Sequence, residues 1–331
     1  GLVSMASRQQ LLLFALLAPA RSASIVPARL TEASTALEPA ARLTEPPSEA
    51  AVRKFLSRVQ PVPSSSRWEV AHPQKQLTLE QVLKADGLSY YSKRLDTEDA
   101  KVLAYVVSVS KVLVKLYIGA NSIGDAGAAA LAEVLKTNRM VKELSLNENS
   151  IGDAGAAALG EALRINTVLT TVSLGGNVIG DKGAAAIAEA LKTNTVLKEL
   201  VIGSSIGAAG ASALSEALKV NKALKELSLT GSLGDAGAIA LAGALRVNVA
   251  LTALDVRHNS IGTEGGKAIA EALEFNGGAG TRVLELTLMG NSIGDAGIAA
   301  IGKVLRPNAI TAPHLRAQAG KSSARVAAAW I

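Results

Sequence analysis

Cysteine is absent from this chain. Disulfides, thiol nucleophiles and cysteine-held metals are therefore excluded, while the compartment stays open. Aromatic residues make up only 3% of the 331 positions, so the 49% hydrophobic content is almost wholly aliphatic. Three histidines, His72, His258 and His314, stand too far apart for metal spacing, and none joins a recognisable Ser or Asp triad. Gly277-Gly278-Ala279-Gly280 lacks the Lys-Ser/Thr of a phosphate loop and reads as a flexible insertion. The apolar run Leu11–Leu17 is too short to span a membrane, and none of the 13 Asn residues lies in an N-x-Ser/Thr sequon. These scarcities leave no catalytic cluster and no cofactor motif, so the expectation is a non-enzymatic protein with no cofactor and no metal.

Charge is scarce where it would matter for nucleic acid. The net charge of +6 sits in the flanks, with 12 basic and 7 acidic residues over 1–94 and three basic residues and no acid over 309–331. The middle of the chain carries 19 basic and 21 acidic residues. It therefore lacks a basic stripe, and no nucleic-acid partner is expected for it.

What the chain does have is repetition. The stretch VKELSLNENSIGDAGAAALGEALRINTV, Val141 to Val168, returns with small changes on both sides. Its first half places apolar residues at alternate positions of a short strand and closes on Asn149. Its second half, from Ala154 to Leu163, is rich in strong helix formers. Between them Gly152 supplies a turn and Asp153 an expected N-cap. Asn166 is expected to end the helix in the left-handed conformation. One strand and one helix cannot bury their own apolar face, so copies must stack.

Strand starts fall at Leu113, Val141, Leu169, Leu197, Leu224, Leu251 and Val283, in steps of 28, 28, 28, 27, 27 and 32 residues. The position closing each strand holds Asn121, Asn149, Asn177, Ser205, Ser232, Asn259 and Asn291. A buried Asn amide there can satisfy backbone groups of adjoining turns, which predicts a ladder through Asn121, Asn149, Asn177, Asn259 and Asn291. Copies four and five are one residue short with Ser at the rung, predicting a bend or loosened ladder. Copy four also has Ala208 in the Asp position. A protruding loop is expected after Phe275. The repeated Gly-Asp pairs, about 28 residues apart, read as helix caps rather than calcium ligands, and Glu133, Glu161 and Glu189 as solvated helix surface.

The pattern L-x-x-L-x-L-x-x-N with a helix on each return resembles the leucine-rich repeats, and the 28-residue period with I-G-D-x-G-A-x-A-L is similar to the ribonuclease-inhibitor-like subclass. Such arrays also form the sensor ends of nucleotide-binding leucine-rich-repeat receptors, but no nucleotide-binding module is present here. The resemblance implies an α/β solenoid, a curved horseshoe with parallel strands on the concave face and helices on the convex face. It implies a scaffold that binds a protein partner. The alternative is a regulator of a nucleotide-dependent partner, because some arrays of this kind look like those of Ran GTPase activators. No catalytic motif carries across residue by residue.

The organisation reads as a targeting segment over 1–20, a Pro/Ala/Ser-rich linker over 21–76, a worn capping repeat over 77–111, seven repeats over 112–308 and a basic tail over 309–331. Within the linker, Ala50–Val59 reads as a short, basic, solvated helix, with a membrane-surface role as the alternative. The protein is expected to be intracellular and monomeric, in the cytoplasm unless residues 5–20 direct organelle or secretory entry. On the concave face, rows of Lys and Glu are expected to neutralise each other across neighbouring strands. Residues of hot-spot type stand only at its ends: Tyr117 at one, and Asp255, Arg257, His258 and Met289 at the other. These five are the candidate partner-binding residues.

Overall fold

The computed structural model describes residues 46–59, 78–276 and 283–305, apart from 284. The 277–282 loop, the 1–20 segment and the 309–331 tail lie outside the described residues. Two short helices come first, α1 (Glu49–Arg58) and α2 (Leu79–Leu83). Strand and helix then alternate: β1 (Gly87–Ser89), α3 (Thr97–Val109), β2 (Lys115–Tyr117), α4 (Gly124–Thr137), β3 (Glu143–Ser145), α5 (Asp153–Ile165), β4 (Thr171–Leu174) and α6 (Asp181–Thr193). The alternation continues through β5 (Glu199–Ile206), α7 (Ala208–Val220), β6 (Glu226–Gly231), α8 (Gly234–Leu245), β7 (Ala253–Asp255), α9 (Thr263–Asn276), β8 (Glu285–Thr287) and α10 (Gly294–Leu305).

The strands form one parallel eight-stranded sheet in sequence order. Register runs copy onto copy, from Leu116 to Leu144, Val172, Leu200, Leu227, Leu254 and Leu286. All of these are buried between the sheet and the helices. This is the α/β leucine-rich-repeat solenoid. Its small helix residues allow close approach. A Cβ added at Gly160 would lie 2.9 Å from the Ala186 carbonyl oxygen, so the neighbouring helix backbone fills that space.

Asparagine side chains stitch the turns together. The Asn177 amide donates to the carbonyls of Leu146 and Leu174, both at 2.9 Å, and its oxygen accepts from the Asn149 and Ile151 N–H groups at 2.8 and 3.0 Å. Asn121, Asn149, Asn259 and Asn291 donate likewise to backbone carbonyls of the preceding copy.

A second row, through Asn138, Asn166, Asn194, Asn221 and Asn248, was not anticipated as such. Asn166 sits at φ −71°, ψ 132°, which is extended and not the expected left-handed conformation. The side chain ends the helix instead of the backbone. Its amide donates to Leu135 of the previous helix at 2.6 Å, and its oxygen accepts from the Val168 and Leu169 N–H groups at 2.8 and 2.7 Å. One residue thus satisfies a carbonyl left over at one helix end and two donors entering the next strand.

The aspartates also act differently from expectation. The N-cap of α5 is Gly152, with no side-chain cap from its own copy. Asp125, one copy earlier, accepts from the Gly152 and Gly155 N–H groups at 2.6 and 3.0 Å. Asp153, Asp181 and Asp235 bond the next copy in the same way. Each Asp therefore caps its neighbour's helix. A Cβ on Gly155 would lie 2.7 Å from both Asp125 Oδ1 and Ile151 Cγ2. The clash with the apolar residue four positions earlier returns at Gly127 and Gly237, where no Asp is near, so that clash accounts for the recurring glycine.

The capping state sets a backbone switch. Downstream of an Asp, Gly152, Gly180 and Gly207 have φ of −102°, −96° and −100°. Where Thr97, Ala208 and Thr263 replace the Asp, the following Gly124, Gly234 and Gly294 have φ of 62°, 58° and 68°. Gly124 and Gly234 then donate instead to the Asn149 and Asn259 carbonyls, each at 3.0 Å. The cost of Ala208 therefore falls on α8 and not on its own helix.

The short copies replace the side-chain rung with main chain. β5 and β6 extend to Ile206 and Gly231, pairing Gly203 with Thr230 and Ile206 with Gly231 across a bulge. The exchange leaves the buried Asn259 Oδ1 without a hydrogen-bond partner.

At the leading end, α1 departs from the linker reading of 21–76. Val52, Phe55 and Val59 are buried, and the Phe55 ring meets Tyr90 edge-on at 5.7 Å. The apolar face of α1 covers the end of the core, so the segment is packed and not solvated. Lys54 and Arg58 pair with Asp96 at 2.7 and 2.9 Å, and Arg58 also pairs with Asp99. Burial raises the Asp96 carboxyl, but Lys54 and Arg58 outweigh it and hold it well below the usual range. Burial dominates at Asp99 and pushes it up.

Candidate protein-binding surface

Outward-facing strand residues build the concave face, and parallel register fixes their neighbours. Because copies stack in phase, each position lies beside the same position of the next copy. Lys115, Glu143, Thr171, Glu199, Glu226, Ala253 and Glu285 form one in-register row. Only Lys115 stands where its neighbour has opposite sign, and it pairs with Glu143 at 2.8 Å. Glu199 and Glu226 instead face each other directly. Burial and then the fields of Glu199 and Glu285 raise the Glu226 carboxyl. Among the described residues Lys142, Lys198 and Lys225 form no salt bridge. The expected neutralisation across strands is thus limited to the first pair, since stacking like copies stacks like charges.

Tyr117 belongs to that first pair. Its hydroxyl donates to Glu143 Oε2. Burial first, and then this carboxylate, push the phenol above its ordinary value. The sequence does not single out Tyr91, because its strand half keeps the 28-residue register but not the apolar spacing of the repeat. Tyr91 is 57% exposed, lies over Gly119 and reaches Glu148 at 3.4 Å.

The other four candidates come together five strand steps away, roughly 24 Å at sheet spacing. Asp255 ends β7 and accepts from Arg257 twice, from Nε at 2.7 Å and from the backbone N–H at 3.0 Å. This carboxylate, the main influence on it, raises the Arg257 guanidinium still further. His258 takes a left-handed φ of 54°, and its N–H donates to the Met289 carbonyl at 2.8 Å. Its ring lies against Gly290, where a Cβ would stand 2.1 Å from Nδ1. Arg257 and His258 are exposed on this rim. The geometry thus groups Asp255, Arg257, His258 and Met289, and leaves Tyr117 separate.

Comparison with known proteins places the repeats. A family model described as "Leucine Rich repeat" matches residues 109–132, 137–160, 166–188, 247–270 and 283–302. The chain therefore carries leucine-rich repeats, a protein-interaction fold; the ribonuclease-inhibitor-like assignment is finer than this match. No curated relative matches the chain. Among solved structures, one described as "Leiomodin-1 Actin-Binding Site 2 (ABS2)" is similar at 19% identity and TM-score 0.38, covering 53% of this chain and 90% of that one. The tropomodulin C-terminal domain of Caenorhabditis elegans is similar at 19% identity and TM-score 0.37, covering 46% and 93%. Among the described residues, no helix is long and apolar enough to cross a membrane.

Proposed function

We propose that this chain is a non-enzymatic scaffold that binds a protein partner on the concave face, anchored at the rim formed by Asp255, Arg257, His258 and Met289. The observation carrying this reading is preorganisation. Asp255 holds the Arg257 side chain, and Gly290 makes room for the His258 ring, so both exposed groups are positioned before a partner arrives. Ordering already present in the free protein lowers the entropic cost of binding. The unpaired Lys142, Lys198 and Lys225 add charge that a partner of opposite sign can use, which favours encounter rate and specificity.

The test is capture of partners with the full chain, followed by titration of the purified partner. Arg257→Ala and His258→Ala together are expected to weaken binding by ~10-fold or more, as loss of hot-spot contacts does. Unchanged affinity in a variant that melts like the wild type sinks the assignment of this rim.

A further inference from the structure

The geometry points to the groove at the leading end of the solenoid, now filled by α1, being a helix-binding site that a partner's basic amphipathic helix can take in exchange. The seat is made by Tyr90, Leu95 and α3, and α1 enters it as a helix lying in a groove. Val52, Phe55 and Val59 are the apolar anchors, while Lys54 and Arg58 meet the carboxylates at the start of α3.

Three features make this contact exchangeable. First, α1 has only ten residues, below the length at which a helix holds itself in water, so it is ordered by docking. Second, residues 60–77 separate it from α2. Neighbouring elements are usually joined by a few residues, whereas eighteen positions lie in this stretch. Third, the resident helix leaves a bond unmade. Asp99 is 1% exposed and its Oδ1 has no hydrogen-bond partner, while Arg58 engages only Oδ2. A ligand helix presenting an arginine fork to both oxygens satisfies that atom and competes with α1. The partner is therefore a helix with apolar residues spaced as Val52, Phe55 and Val59 and cations spaced as Lys54 and Arg58.

The test uses the full chain with Val52→Ala, Phe55→Ala, Arg58→Ala and Val59→Ala, which removes the resident anchors without altering the seat, and a labelled synthetic peptide of residues 46–60. The emptied variant is expected to bind the peptide at least ~100-fold more tightly than the wild type, whose tethered helix competes at high effective concentration. A variant that keeps the wild-type melt but does not bind the peptide overturns the proposal. So does a peptide that binds phosphatidylserine vesicles but not the emptied chain. Hydrogen exchange on the wild type decides the matter if the variant is unstable. Amides of α1 should exchange at least ~100-fold faster than those of α3, and equal protection would make α1 an integral part of the core.

Discussion

Replacing Asp125 and Gly152 by Ala, singly and together, tests the backbone switch at the helix starts. Asp125 Oδ1 accepts from two N–H groups of the next helix, and losing such a cap costs about 1 kcal/mol. The loop has a known way to relax, because Gly124 shows the uncapped state with φ 62° and its N–H on the following Asn carbonyl. Gly152→Ala alone is expected to change stability by less than about 0.5 kcal/mol. Its φ of −102° suits Ala and restricts the unfolded chain, while the new Cβ is squeezed to 3.3 Å from Asp125 Oδ2. The double variant cannot relax, since Ala pays about 1 kcal/mol or more in the left-handed region. The two changes should therefore cost about 1 kcal/mol more together than the sum of their separate effects. Urea unfolding of the four proteins, followed by circular dichroism at pH 7 with equal slopes, measures this coupling. Additivity within about 0.5 kcal/mol would refute the switch, because it would mean that Gly152 does not respond to the cap.

Other substitutions probe the ladders and the concave charges. Asn194→Ala should cost ~3 kcal/mol or more, since it strands the Leu163 carbonyl and the Val196 and Leu197 N–H groups, whereas exposed Thr195→Ala should cost under ~0.5 kcal/mol in the same urea assay. Glu226→Gln should raise the melting temperature at pH 7. A carboxyl raised by folding opposes the folded state once pH passes the unfolded value, so the gain should vanish below about pH 4. Glu143 behaves oppositely. Lys115 and then Tyr117 lower its carboxyl, so its contribution is present above the unfolded value and is lost as pH falls through the depressed one. Glu143→Gln should also bring the Tyr117 phenol titration, read by NMR against Tyr117→Phe, part of the way back toward 10.

Much of this architecture was legible in the sequence because its signals are periodic. Alternating Leu144 and Leu146 announced a strand, and Asn149 announced a buried rung. What escaped were partnerships between copies. Asp125 looks like the cap of its own helix because cap and helix are adjacent in sequence, yet its acceptor serves Gly152, 27 residues on. Backbone propensity points to a left-handed Asn166, while its side chain decides the matter. Phe55 lies outside the repeat frame, and the strand half that holds Tyr91 is too worn for the period to single it out. The concave Lys and Glu rows looked compensating in one dimension. Register sets Glu199 directly beside Glu226 and leaves Lys115 as the one cation beside a Glu in that row. The rim of Asp255, Arg257, His258 and Met289 was legible as a departure from the consensus, but its internal bonding was not.

The aspartate caps have a consequence for how such a chain can be cut and rejoined. A sequence period drawn from strand to helix parts every donor from its acceptor, since Asp125, Asp153 and Asp181 each serve the copy that follows. The portable module is thus a junction, one copy's helix start together with the next one's turn. A graft joined on that boundary keeps both halves of each contact. A graft joined at the obvious repeat boundary leaves one Asp with no helix to cap and one glycine turned left-handed.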